Sequence, residues 1–305
     1  MSWEIELIGL NGGNLLAYLG ALGVLRTLSS GQPPAAVRLR WRERRFWTPV
    51  VHTEAWRTPD EVLAVLTQSV AGKTTANSAL AIGDDLNLPR AVFRAHLEAS
   101  AVAASPGSRA EVDFLAALGS DAFAAPGARD AMADTEFRTM SGAGRQHFLA
   151  SMRELAGSVT ADQLRRALFA PWDYEDGRPS LRWDPADYRP HALRARDPAA
   201  DPIRTMRGAN RLAVEALPWF PTVPEQWRLR TLGFRSAGRG VDFTWPIWTS
   251  PLGPDAVRSL LALAELHSPS PSAASLRARG VAQVYRAKRF TDGQYRNFSP
   301  ARELL

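Results

Sequence analysis

Two short segments carry the residue types best suited to holding an anion. Arg138-Thr139-Met140-Ser141-Gly142-Ala143-Gly144-Arg145 is repeated almost intact as Arg204-Thr205-Met206-Arg207-Gly208-Ala209-Asn210-Arg211, with six of eight positions identical. Each leads into a predicted helix. Glycine lets successive N–H groups point the same way, a helix start carries partial positive charge, and flanking arginines add full charges. The chemistry expected of Arg138, Arg145, Arg204, Arg207 and Arg211 is therefore the positioning of phosphate oxygens, with Asn210 adding a hydrogen bond. The competing expectation is two ordinary Arg/Ala/Gly loops whose guanidinium groups meet nearby carboxylates.

A second cationic cluster lies near the C-terminus. Arg277, Arg279, Arg286, Lys288 and Arg289 are interleaved with Tyr285, Phe290, Tyr295 and Phe298, a pattern able to follow a phosphate backbone and stack on bases. On a hairpin half of these side chains would face the core instead. A third run, Arg38, Arg40, Arg42, Arg44 and Arg45, reads as a solvated hairpin.

Composition supports a polyanionic partner without requiring one. Lys and Arg total 37 against 31 Asp and Glu, a net charge of +6, and only Lys73 and Lys288 are lysines. Arginine stays ionised and presents a planar fork of donors. The chain has no cysteine, which excludes disulfides, thiolate metal sites and a cysteine nucleophile. The longest apolar stretch, Leu15–Leu25, falls short of the ~20 residues a membrane span needs. The N-terminus lacks a basic secretory start, so the expected location is cytoplasmic, with no membrane partner.

Catalytic signatures are weak. Ala71-Gly72-Lys73-Thr74-Thr75 lacks the earlier glycine of a phosphate-binding loop. Gly9, Gly12 and Gly13 do not have the dinucleotide-binding spacing. Asp84-Asp85 reads as a turn or cap, and the five histidines show no metal-ligand spacing. The expectation is a binding protein rather than an enzyme, with no cofactor, no metal and no catalytic residue.

The elements that must position these residues are legible in outline. Trp3–Ile8 alternates as a strand, and Asn14 caps an apolar helix through Leu25. Val37–Trp41 and Phe46–Thr53 follow as strands, then Thr58 and Glu61 form a capping box. This βαββα order is most of a ferredoxin-like unit. Helices are predicted over Pro89–Ala103, Ala110–Gly119, Arg145–Ala156 and Ala161–Phe169, with capping boxes at Ser108/Glu111 and Thr160/Gln163. Ala122–Asp134 reads as a connector of small residues. From about Trp172 the texture becomes Arg-, Trp- and Pro-rich. It carries a helix at Gly208–Leu217, strands at Leu229–Arg235 and Val241–Trp248, a helix from Pro254, a Ser/Pro linker at Ser268–Ser275 and a hairpin over Gly280–Asn297. The predicted fold class is α+β: residues 1–170 form a ferredoxin-like unit with a helical middle, and residues 171–305 a mixed α/β lobe.

The run from Leu7 to Arg26, Leu-Ile-Gly-Leu-Asn-Gly-Gly-Asn-Leu-Leu-Ala-Tyr-Leu-Gly-Ala-Leu-Gly-Val-Leu-Arg, resembles the opening of CRISPR-associated proteins of type I-U/I-G loci. These include the large-subunit family of the effector complex and a smaller helicase-nuclease-extension group. Phe137–Leu149, Leu181–Pro185, Gly208–Leu217 and Phe243–Trp248 resemble the smaller group. The resemblance implies a non-catalytic subunit of an antiviral interference complex. Its partners would be guide RNA or target DNA and other effector subunits or the helicase-nuclease. The chain is shorter than a complete large subunit and lacks helicase and HD-nuclease motifs, so no catalytic residue is carried over. The alternatives are a phosphate- or nucleotide-binding enzyme using the Gly-rich helix starts, and a purely protein-binding adaptor.

Overall fold

Strand β1 (Trp3–Glu6) leads through a glycine turn into α1 (Leu15–Ser29), then β2 (Arg38–Glu43), β3 (Trp47–Thr53) and α2 (Pro59–Val70). The computed structural model describes residues 2–31, 35–71, 78–105, 109–140, 147–187, 204–226, 228–237, 240–292 and 295–305. The three strands lie in the order β1-β3-β2, all antiparallel to their neighbours. The return strand β3 therefore inserts between two strands joined by a helical crossover, as the βαββα reading expects. Asn14 caps α1 by accepting from Ala17 N–H at 3.1 Å. Thr58 and Glu61 form the expected capping box on α2.

Helix α1 is apolar on nearly every side because it is enclosed on nearly every side. Its close neighbour is α7 (Arg207–Ala216). Gly23 makes that approach possible: an added Cβ would stand 1.8 Å from the Leu212 carbonyl oxygen.

The middle of the chain holds α3 (Arg90–Ala103), α4 (Ala110–Leu118), α5 (Phe148–Ser158) and α6 (Ala161–Phe169). The Thr160/Gln163 box caps α6. Ser108 lies outside the described residues, and α4 follows Arg109 without a side-chain cap. The segment read as a connector is corrected: β4 (Gly119–Ala125) and β5 (Ala128–Asp134) form an antiparallel hairpin, turning at Gly127 with φ +79°. Alanine and glycine are poor strand formers, and the pairing is tertiary in origin.

After α7 come β6 (Thr222–Glu225), β7 (Arg228–Thr231), β8 (Phe234–Ser236), β9 (Val241–Trp248), α8 (Pro254–Leu261), α9 (Ala273–Ala278), β10 (Val281–Asp292), β11 (Tyr295–Phe298) and β12 (Arg302–Glu303). The strand expected over Leu229–Arg235 is interrupted at Gly233, whose φ of +89° breaks it into β7 and β8. The presumed Ser/Pro linker becomes helical at α9, with Ser272 accepting from Ser275 N–H. Strands run β11-β10-β9-β8, and β12 also pairs with β10. The class is α+β.

One apolar core takes residues from both sides of position 170, from Ile5 to Phe298. An aromatic seam ties its parts together. Tyr18 stacks on Trp41 at 5.6 Å and lies 5.7 Å from Trp245, which stacks on Tyr285 at 5.9 Å. Two buried indoles in it are satisfied: Trp245 donates to Gly12 O at 2.8 Å and Trp248 to Leu39 O at 2.7 Å. Each aromatic pair adds about 0.5–1.5 kcal/mol beyond its burial. No helix among the described residues is long and apolar enough to cross a membrane.

Candidate nucleic-acid interface

The two near-repeats do converge, but on the chain itself. Thr139 Oγ1 donates to Leu181 O at 2.8 Å, and Asn210 Oδ1 accepts from Leu181 N–H at 2.9 Å. The amide of Asn210 is completed by Thr205 Oγ1 and Met206 O. Arg138 is only 5% exposed. It pairs with Asp85 at 2.8 Å and with Asp134, and donates to Asn87 at 3.0 Å. Arg211 is buried, bonded to Val70 O and paired with Glu215 at 2.7 Å. Arg207 is held by Arg178 O and Ser158 Oγ, and the exposed Arg204 donates to Glu175 O at 2.8 Å. The phosphate-facing roles expected of Arg138, Asn210 and Arg211 are thus corrected to internal ones, since buried side chains bonded to their own protein offer nothing at the surface. Arg145, with Ser141–Gly144, lies outside the described residues.

The C-terminal sheet disposes its cations differently. Side chains alternate along β10, so Tyr285, Ala287 and Arg289 face the main core while Val284, Arg286 and Lys288 share the opposite face. There Val284 is buried in a second apolar cluster with Leu266 and Leu276, Arg286 is buried as well, and Lys288 is exposed. Arg289 turns to the first near-repeat, donating to Arg138 O at 3.0 Å. Burial pushes its pKa down to about 10, with repulsion from Arg296 and Arg138 adding to the shift. Arg286 is only 6% exposed, its guanidinium turned inward to donate to Thr244 Oγ1 at 2.9 Å, Pro269 O at 3.0 Å and Ser268 O, so its expected phosphate-facing role is corrected to an internal one.

Register completes that face. Arg302 of β12 lies directly opposite Arg286, while Lys288 of β10 and Arg235 of β8 lie on either side of Asp242 of β9. Directly opposed residues share a sheet face. Arg235, Lys288 and Arg302 are exposed, and their side chains make no hydrogen bond or ion pair among the described residues. Arg286 registers the crowding: burial, and then the charges of Arg302 and Arg235, hold its pKa below the usual arginine value against the pull of Asp242. Four cations thus share one carboxylate across strands about 4.8 Å apart. Like charges directly opposite one another are destabilising. Of the expected residues, Lys288 is exposed on this face, and Arg286 lies beneath it, bonded internally. Arg235 and Arg302 were missed, because only strand register brings them beside the others.

The third basic run contrasts with this face. Arg40, Arg42 and Arg44 reach across β3 to pair with Glu4 and Glu6 of β1, and Arg45 at the hairpin tip is exposed. Asp85 holds Arg138, and Asp84 holds Arg153. Among the described residues no three metal-ligating side chains gather. The glycines of the opening motif serve close packing: a Cβ on Gly12 would sit 2.9 Å from Trp41 and Ile247, and one on Gly9 2.4 Å from Ala167 O.

No family model, curated protein or solved structure matches this chain.

Proposed function

We propose that the chain is a non-catalytic nucleic-acid-binding subunit that grips phosphates with the exposed Arg235, Lys288 and Arg302 on the outer face of the C-terminal sheet. The setting suggested by the sequence resemblance is a type I-U/I-G CRISPR interference complex, with guide RNA or target DNA as the polyanion. The observation that carries the reading is that the exposed Arg235, Lys288 and Arg302, brought to one face by strand register, make no side-chain hydrogen bond or ion pair among the described residues. Such contacts position a strand without reading its sequence, so specificity resides in base pairing or in another subunit.

The test is binding of labelled single- and double-stranded RNA and DNA oligonucleotides over a salt series. Each phosphate contact contributes about one unit to the log–log salt slope. Replacing Arg235, Lys288 and Arg302 together by alanine lowers the slope by about three, whereas Arg129→Ala, on the exposed β4–β5 hairpin, leaves it unchanged.

A further inference from the structure

A cavity of about 300 Å³ opens where the glycine turn before α1 meets the segment after α6. Its lining combines aromatic surfaces, Phe46, Trp172 and Tyr174, with the amides of Asn11 and Asn14 and the guanidinium of Arg45. The nucleic-acid face uses none of these residues.

The cavity walls are braced from both sides by one buried carboxylate. Asp184, 2% exposed, accepts from Asn14 Nδ2 at 3.1 Å through Oδ1 and from Tyr174 Oη at 3.0 Å through Oδ2. Asn14 is simultaneously the cap of α1, which fixes the orientation of its amide. Tyr174 keeps a φ of +54°, a conformation rare for an aromatic residue and maintained only where surrounding contacts enforce it. Its phenol on Asp184 and its N–H on Met206 Sδ at 3.4 Å supply that enforcement. The indole N–H of Trp172 is bonded to Ala167 O at 3.0 Å, and its ring stands edge-on to Tyr174 at 5.9 Å.

Two polar groups remain unused. Asn11 Oδ1 accepts from Gly13 N–H at 2.9 Å, which leaves its NH₂ as a donor. Arg45 is exposed and has no hydrogen bond or ion pair among the described residues, although Arg40, Arg42 and Arg44 on the same hairpin are paired. An aromatic wall, one amide donor and one unpaired guanidinium match a flat heterocycle with an anionic substituent. The volume is at the bottom of the range for small-molecule sites, enough for one ring system and its substituent.

We propose that this cavity binds a single nucleoside monophosphate. The base lies against Trp172, its edge accepts from Asn11, and the phosphate meets Arg45. This site is separate from the phosphate-gripping sheet face, and either can fail alone.

The experiment is calorimetric titration of the intact chain with AMP, CMP, GMP and UMP, their four nucleosides and inorganic phosphate. At least one monophosphate binds, about tenfold tighter than its nucleoside, the worth of one charge-assisted contact. Arg45→Ala, at an exposed hairpin tip, brings monophosphate and nucleoside to equal affinity. Trp172→Ala abolishes binding of both, and Trp172→Phe, which keeps an aromatic face, retains it. Arg45→Ala leaves the oligonucleotide salt slope as in the parent protein. No binding by any monophosphate, binding of inorganic phosphate as tight as that of the monophosphates, or affinities unmoved by Arg45→Ala would each overturn the assignment.

Discussion

Thr139 and Asn210 hold opposite ends of one residue, Thr139 Oγ1 donating to the carbonyl of Leu181 and Asn210 Oδ1 accepting from its N–H. All three are buried. The near-repeated Arg-Thr-Met segments thus join through a shared backbone partner, and Met140 and Met206 both enter the core. Asn210→Ala strands the Leu181 N–H and costs about 1–3 kcal/mol. Thr139→Val strands the carbonyl at a comparable cost. Urea unfolding of both single variants and the double variant reveals coupling between them; strictly additive losses would contradict a common anchor.

Arg138 has a structural role, and its variants distinguish that from phosphate binding. Removing one partner from a buried ion pair costs about 3–5 kcal/mol, and Arg138→Ala leaves Asp85 and Asp134 without their cation. Thermal unfolding shows a large fall in Tm. Below that Tm, the oligonucleotide salt slope of Arg138→Ala equals that of the parent. A slope reduced by about one would instead place Arg138 on the polyanion.

Glu215 gives stability an acid limb. Burial pushes its carboxyl pKa up, but the charges of Arg211 and Arg26 outweigh burial and hold it below the usual value. A carboxylate whose folded pKa is depressed adds stability above its unfolded pKa and loses it as pH falls through the folded value. Unfolding free energy measured from pH 6 downward therefore declines below about pH 4.5. Glu4 and Glu6, similarly depressed despite burial by hydrogen bonds from Arg42 and Arg44, add to the decline. The difference curve between parent and Glu215→Gln isolates the Glu215 share, and a flat difference would refute it.

Two glycines of α1 make opposite predictions. Gly23→Ala drives a methyl group into the Leu212 carbonyl and destabilises by about 1–3 kcal/mol, or more where α7 cannot shift. At Gly20 the nearest atom to an added Cβ is Ala209 O at 3.7 Å, ordinary contact. Gly20→Ala is neutral or stabilising by up to ~1 kcal/mol through helix propensity. Thermal unfolding of the pair checks both signs.

Local signals were legible where they were strong. The Thr160/Gln163 box places the start of α6 at Ala161, and the strand expected over Val241–Trp248 is β9 at its full length. The β4–β5 hairpin was hidden because its alanines have no strand preference of their own, and α9 was hidden inside a Ser/Pro-rich stretch. The cationic residues divide for a different reason. Sequence shows that Arg138 is charged and that Asp134 lies four positions before it, but its second partner Asp85 is 53 positions away, and only the fold shows that the guanidinium is buried between them. The same applies to Arg235 and Arg302, brought beside Arg286 and Lys288 by strand register alone.

Salt dependence of oligonucleotide binding tests the outer sheet face most directly. With Arg235, Lys288 and Arg302 replaced together by alanine, the account predicts weaker binding at every salt concentration and a log–log slope shallower by about three, with Tm unchanged. An unaltered slope in that folded triple variant, or a parent protein that retains no oligonucleotide even at low salt, would contradict it.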